Sequence, residues 1–418
     1  MAIEDDDIKD REVWTGVARF WYSKAADKSP TVGRLYHHLA ILARPNALQQ
    51  LYYYTRSLSC VQPFLSARES ILTLFDLILC GTELVYHRSL PVDTAFIKAH
   101  GILFTGVSLD RFGDVVDQFL SLLDNNIGRV TSKWKEQGIY IAVANFAALF
   151  GYASKDNLLR RVYTTEQSNI REIPPDAVSQ QDVKANPTES GPGDRTHSDP
   201  VGSENVLPPV PAESNSESSG SQAALSKASS GQSFRASGEV GAQDSRETSK
   251  DVTAFANAKF LTFATLDLAL QRIGDPNVLP HVHISLCFMN HIAHSEPAMK
   301  LVEKEFPWES LALMLNTLVT SYDNFRRVES RRFPEPEKGV GRPLPEDSNI
   351  LGLEWAASYY PEGWFENALV DDEERTLELA SMAADRRERI LWLAYQLAQV
   401  SFYTLFHKFD PLTALVLP

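Results

Sequence analysis

The residues in this sequence best suited to chemistry are histidine and cysteine side chains at helical spacing. His283, Cys287 and His291 lie four residues apart, and His294 follows three residues later. Side chains four apart on a helix can share a metal ion, but His283 and His291 are two turns, or about 12 Å, apart, which is too far for one ion to bind both. The spacing therefore favours a polar stripe between packed helices, and it predicts no metal or cofactor.

A second group is basic and lies in a proline-containing stretch. Its members are Arg326, Arg327, Arg331, Arg332, Lys338 and Arg342, and the prolines beside them are Pro334, Pro336 and Pro343. The prolines predict a loop. Arginines in a loop can bind nucleic-acid phosphates, but a nucleic-acid site usually adds aromatic residues that stack on bases, and few lie nearby. The sequence leaves undecided whether this stretch contacts nucleic acid or is a solvated loop.

No spacing typical of a catalytic site occurs in the sequence. It contains no nucleophile elbow, no glycine-rich phosphate loop and no HExxH motif. We therefore expect no enzyme and no small-molecule substrate. The remaining arginine group, Arg386, Arg387 and Arg389, is predicted to form local ion pairs with the acidic run Asp371–Glu374.

Composition narrows the class of protein further. The 418 residues carry 40 Lys and Arg against 54 Asp and Glu, a net charge of −14. This balance argues against a protein whose whole surface wraps nucleic acid or an anionic membrane. The three cysteines are isolated, which suits a reducing compartment. The longest apolar run, Gly138–Ala153, is too short to span a bilayer and is predicted to be a buried helix.

One long segment differs in composition from the rest of the chain. Residues 165–250 are rich in Ser, Gly and Pro and almost lack large apolar side chains. Such a segment cannot bury enough surface to offset its conformational entropy, so we expect a disordered insertion. It divides the chain into an N-terminal part, 1–164, and a C-terminal part, 251–418.

Outside the insertion the apolar periodicity is helical, so the predicted fold class is all-α. The pattern Ser66–Leu79 begins with capping-box spacing between Ser66 and Glu69. Asp110–Leu123 has an apolar stripe behind Asp110 as the predicted N-cap. Further helices are predicted over residues 92–104, 132–153, 252–273, 278–293, 296–305, 308–325 and 375–405.

An internal repeat lies in the first 65 residues. Positions that fit the tetratricopeptide pattern of small, aromatic and terminating residues are Ala18, Tyr22, Ala25, Ala26 and Pro30, and then Leu39, Ala40, Tyr54, Ser57, Leu58 and Pro63. Pro30 and Pro63 are 33 residues apart, close to the period of about 34 residues. The sequence therefore predicts at least one and a half tetratricopeptide-like repeats.

The run GRLYHHLAILARPNALQQLYYYTRSL (33–58), followed by Pro63-Phe64 and ARES, resembles the core motif of the Est/Smg family. This family comprises the telomerase-associated Est proteins and the Smg adaptors of nonsense-mediated mRNA decay. Four later segments resemble its helical-hairpin half, namely VLPHVHISLCFMNHIA (278–293), FPWESLALMLNTL (306–318), PLPEDSNILGLEW (343–355) and RRERILWLA (386–394). The resemblance implies an Est-type DNA/RNA-binding domain with tetratricopeptide-like, 14-3-3-like repeats followed by a helical-hairpin stack, the two parts being halves of one domain.

The resemblance also implies a binding surface. In the family, the concave 14-3-3-like face binds phosphorylated Ser/Thr segments through Lys, Arg and Asn side chains. His37 occupies one of the family's Asn positions and Ser70 approximately the other. Each can still donate a hydrogen bond to phosphate.

The family's basic phosphate-binding residues come from helices upstream of the first repeat, where this sequence begins. Three interpretations stay open: phosphate recognition is lost, its charge comes from Arg34, Arg56 and Arg68, or the chain is a truncated gene product. Arg56 is predicted beside Tyr53 and could bind phosphate with both of its guanidinium arms, or could pack its stem over tyrosine rings.

The function implied is that of a non-enzymatic scaffold in telomere maintenance or nonsense-mediated mRNA decay, in the nucleus and cytoplasm. Its expected partners are proteins, phosphorylated or not, and RNA or telomeric single-stranded DNA, but no membrane. The candidate partner-binding residues are Arg34, His37, Tyr53, Arg56, Arg68 and Ser70. The alternative is a direct nucleic-acid-binding protein, with candidate residues Arg326, Arg327, Arg331, Arg332 and Arg342, or a paralogue without phosphate recognition.

Overall fold

The structure is a computed structural model that describes residues 8–79, 90–171, 240–335, 342–366 and 378–399. Within these ranges the chain forms α-helices joined by short turns, with isolated bridges in place of β-strands. The helices are α1 (Ile8–Lys28), α2 (Gly33–Leu42), α3 (Ala47–Ser59), α4 (Ala67–Leu79), α5 (Pro91–Thr105), α6 (Phe112–Val130), α7 (Trp134–Leu149), α8 (Leu158–Arg171), α9 (Val240–Gln271), α10 (Leu279–Ile292), α11 (Glu296–Lys300), α12 (Trp308–Val319), α13 (Phe325–Val328), α14 (Pro345–Ile350) and α15 (Ala380–Gln399). The predicted all-α class is confirmed.

The first three helices have the packing of tetratricopeptide-like repeats. α1 and α3 end just before Pro30 and Pro63, the two predicted terminators. The positions predicted to pack are buried where α2 meets α3, including Ala40 and Leu58 at 0% exposure. Small and large side chains alternate across the contact, which lets the helices approach closely.

Gly33 explains why α2 begins where it does. A side chain at this position would place its Cβ 2.3 Å from the carbonyl oxygen of Ser57 and 2.8 Å from the backbone nitrogen of Phe64. The Ser57 hydroxyl donates to the Gly33 carbonyl at 2.8 Å. Only glycine therefore allows α2 to cross the end of α3 at this distance.

The apolar run is the central helix of the fold. α7 is buried along almost its whole length, and it packs on α3 from the N-terminal part and on α10 from the C-terminal part. The rings of Phe146 and Phe288 stack at 4.1 Å across the second contact. Helices on both sides of residues 172–239 thus share one core. None of the described helices has the length and apolarity that crossing a bilayer would need.

Some predicted helix bounds need correction. Asp110 is not an N-cap, because Leu109–Arg111 form a 3-10 turn and α6 starts at Phe112. The helix predicted to reach residue 325 ends at Val319, where the hydroxyl of Thr320 bonds to the Thr317 carbonyl instead of leaving the backbone to continue the helix. The helix predicted over 296–305 ends at Lys300.

The helix predicted over 375–405 is described from Ala380 to Gln399, and residues 400–418 lie outside the described ranges. α8 and α9 extend into the two ends of the segment predicted to be disordered. The rest of that segment, residues 172–239, also lies outside the described residues.

Candidate functional site

The structure brings His37 and Ser70 together from two helices. His37 lies on α2 and Ser70 on α4, and the His37 Nε2 and Ser70 Oγ atoms are 2.9 Å apart. The imidazole also packs against the Phe64 ring at 5.0 Å. Two positions 33 residues apart, both selected from the motif, thus form one hydrogen-bonded pair at the surface.

The electrostatics of this pair are set by its basic neighbours. Burial lowers the pKa of His37, and the adjacent His38 and Arg34 lower it further. His37 is therefore neutral at pH 7, and its Nε2 bonds to Ser70 while its buried Nδ1 has no partner among the described residues. Arg34 lies one turn earlier on α2 with an exposed side chain, and it supplies a positive charge that a solvent-borne ligand can reach.

Arg68 also belongs to α4 but points its guanidinium at the protein. Its Nη1 donates to the carbonyl oxygen of Tyr152 at 2.6 Å, and the guanidinium lies 4.7 Å from the centre of the Phe104 ring. Gly151, Tyr152 and Ala153 all have positive φ, between 50° and 67°. Arg68 thus holds a turn in which two residues with side chains adopt a left-handed backbone.

Arg56 is buried at a junction between the two parts of the chain. Only 6% of it is exposed, and its guanidinium lies 4.1 Å from the centre of the Tyr36 ring. Nη1 donates to the Tyr52 hydroxyl at 2.7 Å, and Nη2 donates to the carbonyls of Ser348 and Leu351, each at 2.9 Å. These bonds tie α3 to α14 and the turn after it.

Arg56 and Tyr53 line an open cleft of about 700 Å³. Its walls come from α1, α2, α3, α7, α14 and α15, and its polar lining includes Asp27, Gln49, Lys133, Glu136, Arg342 and Asn349. Both signs of charge are present along the walls. Arg34, His37, Arg68 and Ser70 are not part of this lining, so the six predicted partner-binding residues lie at two places.

The predicted nucleic-acid-binding arginines also separate. Arg326, Arg331 and Arg332 are exposed. Arg327 is paired with Glu388 and with the carbonyl of Glu335, and Arg342 lines the cleft. Residues 336–341, which include Lys338, lie outside the described residues.

Sequence reasoning missed a buried ionic network. Glu346 and Asp347, both at 0% exposure, lie in the segment PLPEDSN. Arg386 binds both carboxylate oxygens of Glu346, at 2.5 and 2.8 Å, and also pairs with Glu378. Arg389 binds Asp347 at 2.5 Å. Burial alone would raise the pKa of Glu346, but Arg386 and then His283 hold it well below its usual range.

This network corrects the pairing predicted for the C-terminal arginines. The acidic run Asp371–Glu374 lies outside the described residues, and the described partners of Arg386 and Arg389 are Glu346, Glu378 and Asp347. Arg387 instead donates to Ser321 at the surface. The available signal was two adjacent acids directly after Leu-Pro, at the start of a short helix.

Two histidines of α10, His281 and His283, are part of the same interior, whereas His294 at the end of the predicted stripe is exposed. His283 bonds to Glu346 at 3.0 Å and to the Tyr359 hydroxyl at 2.7 Å. His281 bonds to the Gly138 carbonyl at 2.8 Å, and burial lowers its pKa to about 4. In the part of the chain that the structure describes, no three His, Cys, Asp or Glu side chains are arranged to hold a metal ion.

Two comparisons show which known proteins this chain is similar to. Residues 18–168 match the family model of the Est1 DNA/RNA binding domain, and this range contains the repeats, the His37–Ser70 pair and α7. A segment of 63 residues is 46% identical to the telomerase-binding protein EST1A of Danio rerio. That segment is 15% of this chain and spans 4% of the length of the Danio protein. The motif residues, the helical repeats and both matches agree, and together they support the resemblance to the Est/Smg family.

Proposed function

We propose that the chain is a non-catalytic helical scaffold, and that it binds a phosphorylated protein segment at the surface formed by Arg34, His37 and Ser70. The observation that carries the proposal is the 2.9 Å contact between His37 and Ser70, beside an exposed arginine. The Ser70 hydroxyl can donate to a phosphate oxygen while it accepts from His37 Nε2, and Arg34 supplies the charge.

The proposed site contains three of the six partner-binding residues that the sequence predicted. A phosphate ligand needs guanidinium N–H groups that point to solvent, and the described donors of Arg56 and Arg68 point to protein oxygens instead. Arg56 and Arg68 then hold the elements on which the surface is built. Tyr53 belongs to the cleft with Arg56.

The proposed setting is telomere maintenance or nonsense-mediated mRNA decay, in the nucleus and cytoplasm. The matched family model is that of a DNA/RNA binding domain, and the name of the Danio relative describes a telomerase-binding protein. Both support a chain whose work is binding rather than catalysis. Since the match covers a small part of that relative, its partners are expectations for this chain.

A second candidate function is direct binding of RNA or telomeric single-stranded DNA at residues 326–332, where the predicted loop begins instead with the short helix α13. Arg326, Arg331 and Arg332 are exposed there, and the rings of Tyr322 and Phe325 lie 6.0 Å apart nearby. Phe325 is 38% exposed and offers a face on which a base can stack. Arg327 and Arg342 have other contacts and lie outside this narrower site.

Fluorescence anisotropy distinguishes the two candidates. A labelled peptide with one phosphoserine, its unphosphorylated twin, single-stranded RNA and telomeric-repeat DNA are titrated with the full chain at low and physiological salt. We expect binding that requires the phosphate and that His37→Ala/Ser70→Ala weakens about tenfold, since losing hydrogen bonds to a charged group costs about 1.5–3 kcal/mol. Arg161→Ala, an exposed arginine on α8, is the control.

The loop variant Arg326→Ala/Arg331→Ala/Arg332→Ala tests the alternative. If these arginines bind single strands, removing them lowers the slope of log affinity against log salt by about 2. Nucleic-acid binding that depends on the loop, without any preference for the phosphopeptide, would reject the first proposal.

A further inference from the structure

Among the described residues, helix α1 packs on α2 through one face. Its Tyr22 ring stacks on His38 at 4.8 Å, and Arg19 donates to the Leu42 carbonyl at 2.7 Å. Ala26 is buried, at 5% exposure. These residues lie on the side of α1 that faces α2.

The opposite face of α1 is apolar and exposed. Its residues are Val13, Trp14, Val17, Phe20 and Trp21, with exposures of 64%, 44%, 43%, 48% and 66%. At 100° per residue they occupy an arc of roughly 120°. Single apolar side chains are common on protein surfaces, but a contiguous patch with two tryptophans and a phenylalanine marks an interaction surface.

The arrangement of this face is symmetric about Val17. Trp14 and Phe20 lie three residues before and after it, and Val13 and Trp21 lie four residues before and after it. An antiparallel pairing of two identical helices with its two-fold axis at Val17 therefore sets Trp14 against Phe20 and Val13 against Trp21. A surface of this kind is complementary to itself, as a two-fold interface must be.

We propose that α1 is a homodimerisation helix, which pairs antiparallel with α1 of a second copy of this chain around Val17.

The size of the patch sets the strength of the dimer. The three aromatic side chains expose roughly 300 Å² per helix, at about 200 Å² for each fully exposed ring. The pair of helices then buries roughly 600 Å² of aromatic surface, before the valines and the rest of the helix are added. The aromatic surface alone is smaller than the roughly 1,200–2,000 Å² of a stable interface, so we expect a weak dimer that dissociates on dilution.

Sedimentation velocity of the full chain between about 1 and 100 µM tests the proposal. We expect the weight-average sedimentation coefficient of the wild-type chain to rise from monomer towards dimer across this range. Val17→Glu places two like charges at the axis and should leave a monomer throughout. Leu313→Glu changes an equally exposed residue on α12, 58% exposed, and should behave as wild type. Circular dichroism checks that both variants are folded.

Cysteine cross-linking tests the register. Two Val17→Cys side chains meet at the axis and should form a disulfide when diamide is added. Two Val13→Cys side chains lie about 12 Å apart along the pair and should not. The wild-type chain, treated in parallel, accounts for the native cysteines.

Loss of the dimer in Val17→Glu together with cross-linking at 17 but not at 13 is the result we expect. A dimer that persists in Val17→Glu would overturn the proposal. A wild-type chain that stays monomeric at every concentration would also overturn it, and would leave the face to a helix of another protein.

Discussion

Arginines at two regions of this molecule have opposite surroundings. At the junction of α3, α10, α14 and α15, Arg56, Arg386 and Arg389 are buried, and their donors bind protein oxygens. On the outer side of α2, Arg34 is exposed beside the His37–Ser70 pair. A buried charge is tolerated only when it is paired and hydrogen-bonded, so the first group holds the fold together: Arg56 ties α3 to α14, while Arg386 and Arg389 tie α15 to α14. Only the second is placed to meet a ligand.

The largest effect is expected from breaking the buried network. Arg386→Ala leaves Glu346 buried and without its main counter-ion, which should lower the free energy of unfolding by about 3–5 kcal/mol. The matched control is Arg387→Ala, the next residue, whose guanidinium lies at the surface against Ser321. Urea unfolding should show the control within about 0.5 kcal/mol of wild type. Similar losses in both variants would remove the distinction between buried and exposed arginines.

A smaller effect is expected from pH, through His281 between α7 and α10. Burial lowers its pKa to about 4, below the ordinary value of about 6.5, so between these values the unfolded chain binds a proton that the folded chain does not. Stability is therefore lost as pH falls. His281 should contribute about 2 kcal/mol to the loss between pH 7 and pH 5.

Urea unfolding at the two pH values measures this loss. His281→Asn, which does not titrate, should be less stable at pH 7 but should lose less on acidification. A variant whose loss on acidification equals that of wild type would show that His281 is not the titrating group.

The smallest effect on stability is expected at the candidate site. His37 and Ser70 share a hydrogen bond that is partly exposed, so their coupling in a double-mutant cycle should be about 1 kcal/mol. His37→Ala, Ser70→Ala and the double variant, compared by urea unfolding, measure it. A coupling of several kcal/mol would show that the pair stabilises the fold, as the buried arginines do.

Much of the fold could be predicted from the sequence because its signals are local. The apolar stripe of α6, the continuous apolar run of α7 and the prolines that follow α1 and α3 all describe contacts within one or two helices. The ends of α11 and α12 were placed too late, and at the end of α12 a threonine hydroxyl bonds to the backbone. The resemblance to the Est/Smg family predicted that the tetratricopeptide-like repeats precede the helical-hairpin half.

The candidate site could be predicted only in part. The motif selected His37 and Ser70, and the structure joins them. The motif could not show that Arg56 lies against the carbonyls of Ser348 and Leu351, because residues almost 300 positions apart leave no periodic signal. Glu346 and Asp347, the partners of Arg386 and Arg389 on α14, were also missed, since they lie 40 and 42 positions away on another helix.

The most direct test compares Arg34→Ala with Arg56→Ala by two measurements, the affinity for a phosphoserine peptide and the free energy of unfolding. We expect Arg34→Ala to weaken binding about tenfold and to leave stability unchanged. Arg56→Ala should lower stability by about 2–3 kcal/mol and leave the affinity of the folded protein within about twofold of wild type. Loss of binding in folded Arg56→Ala, with Arg34→Ala binding normally, would contradict this account and place the ligand in the cleft.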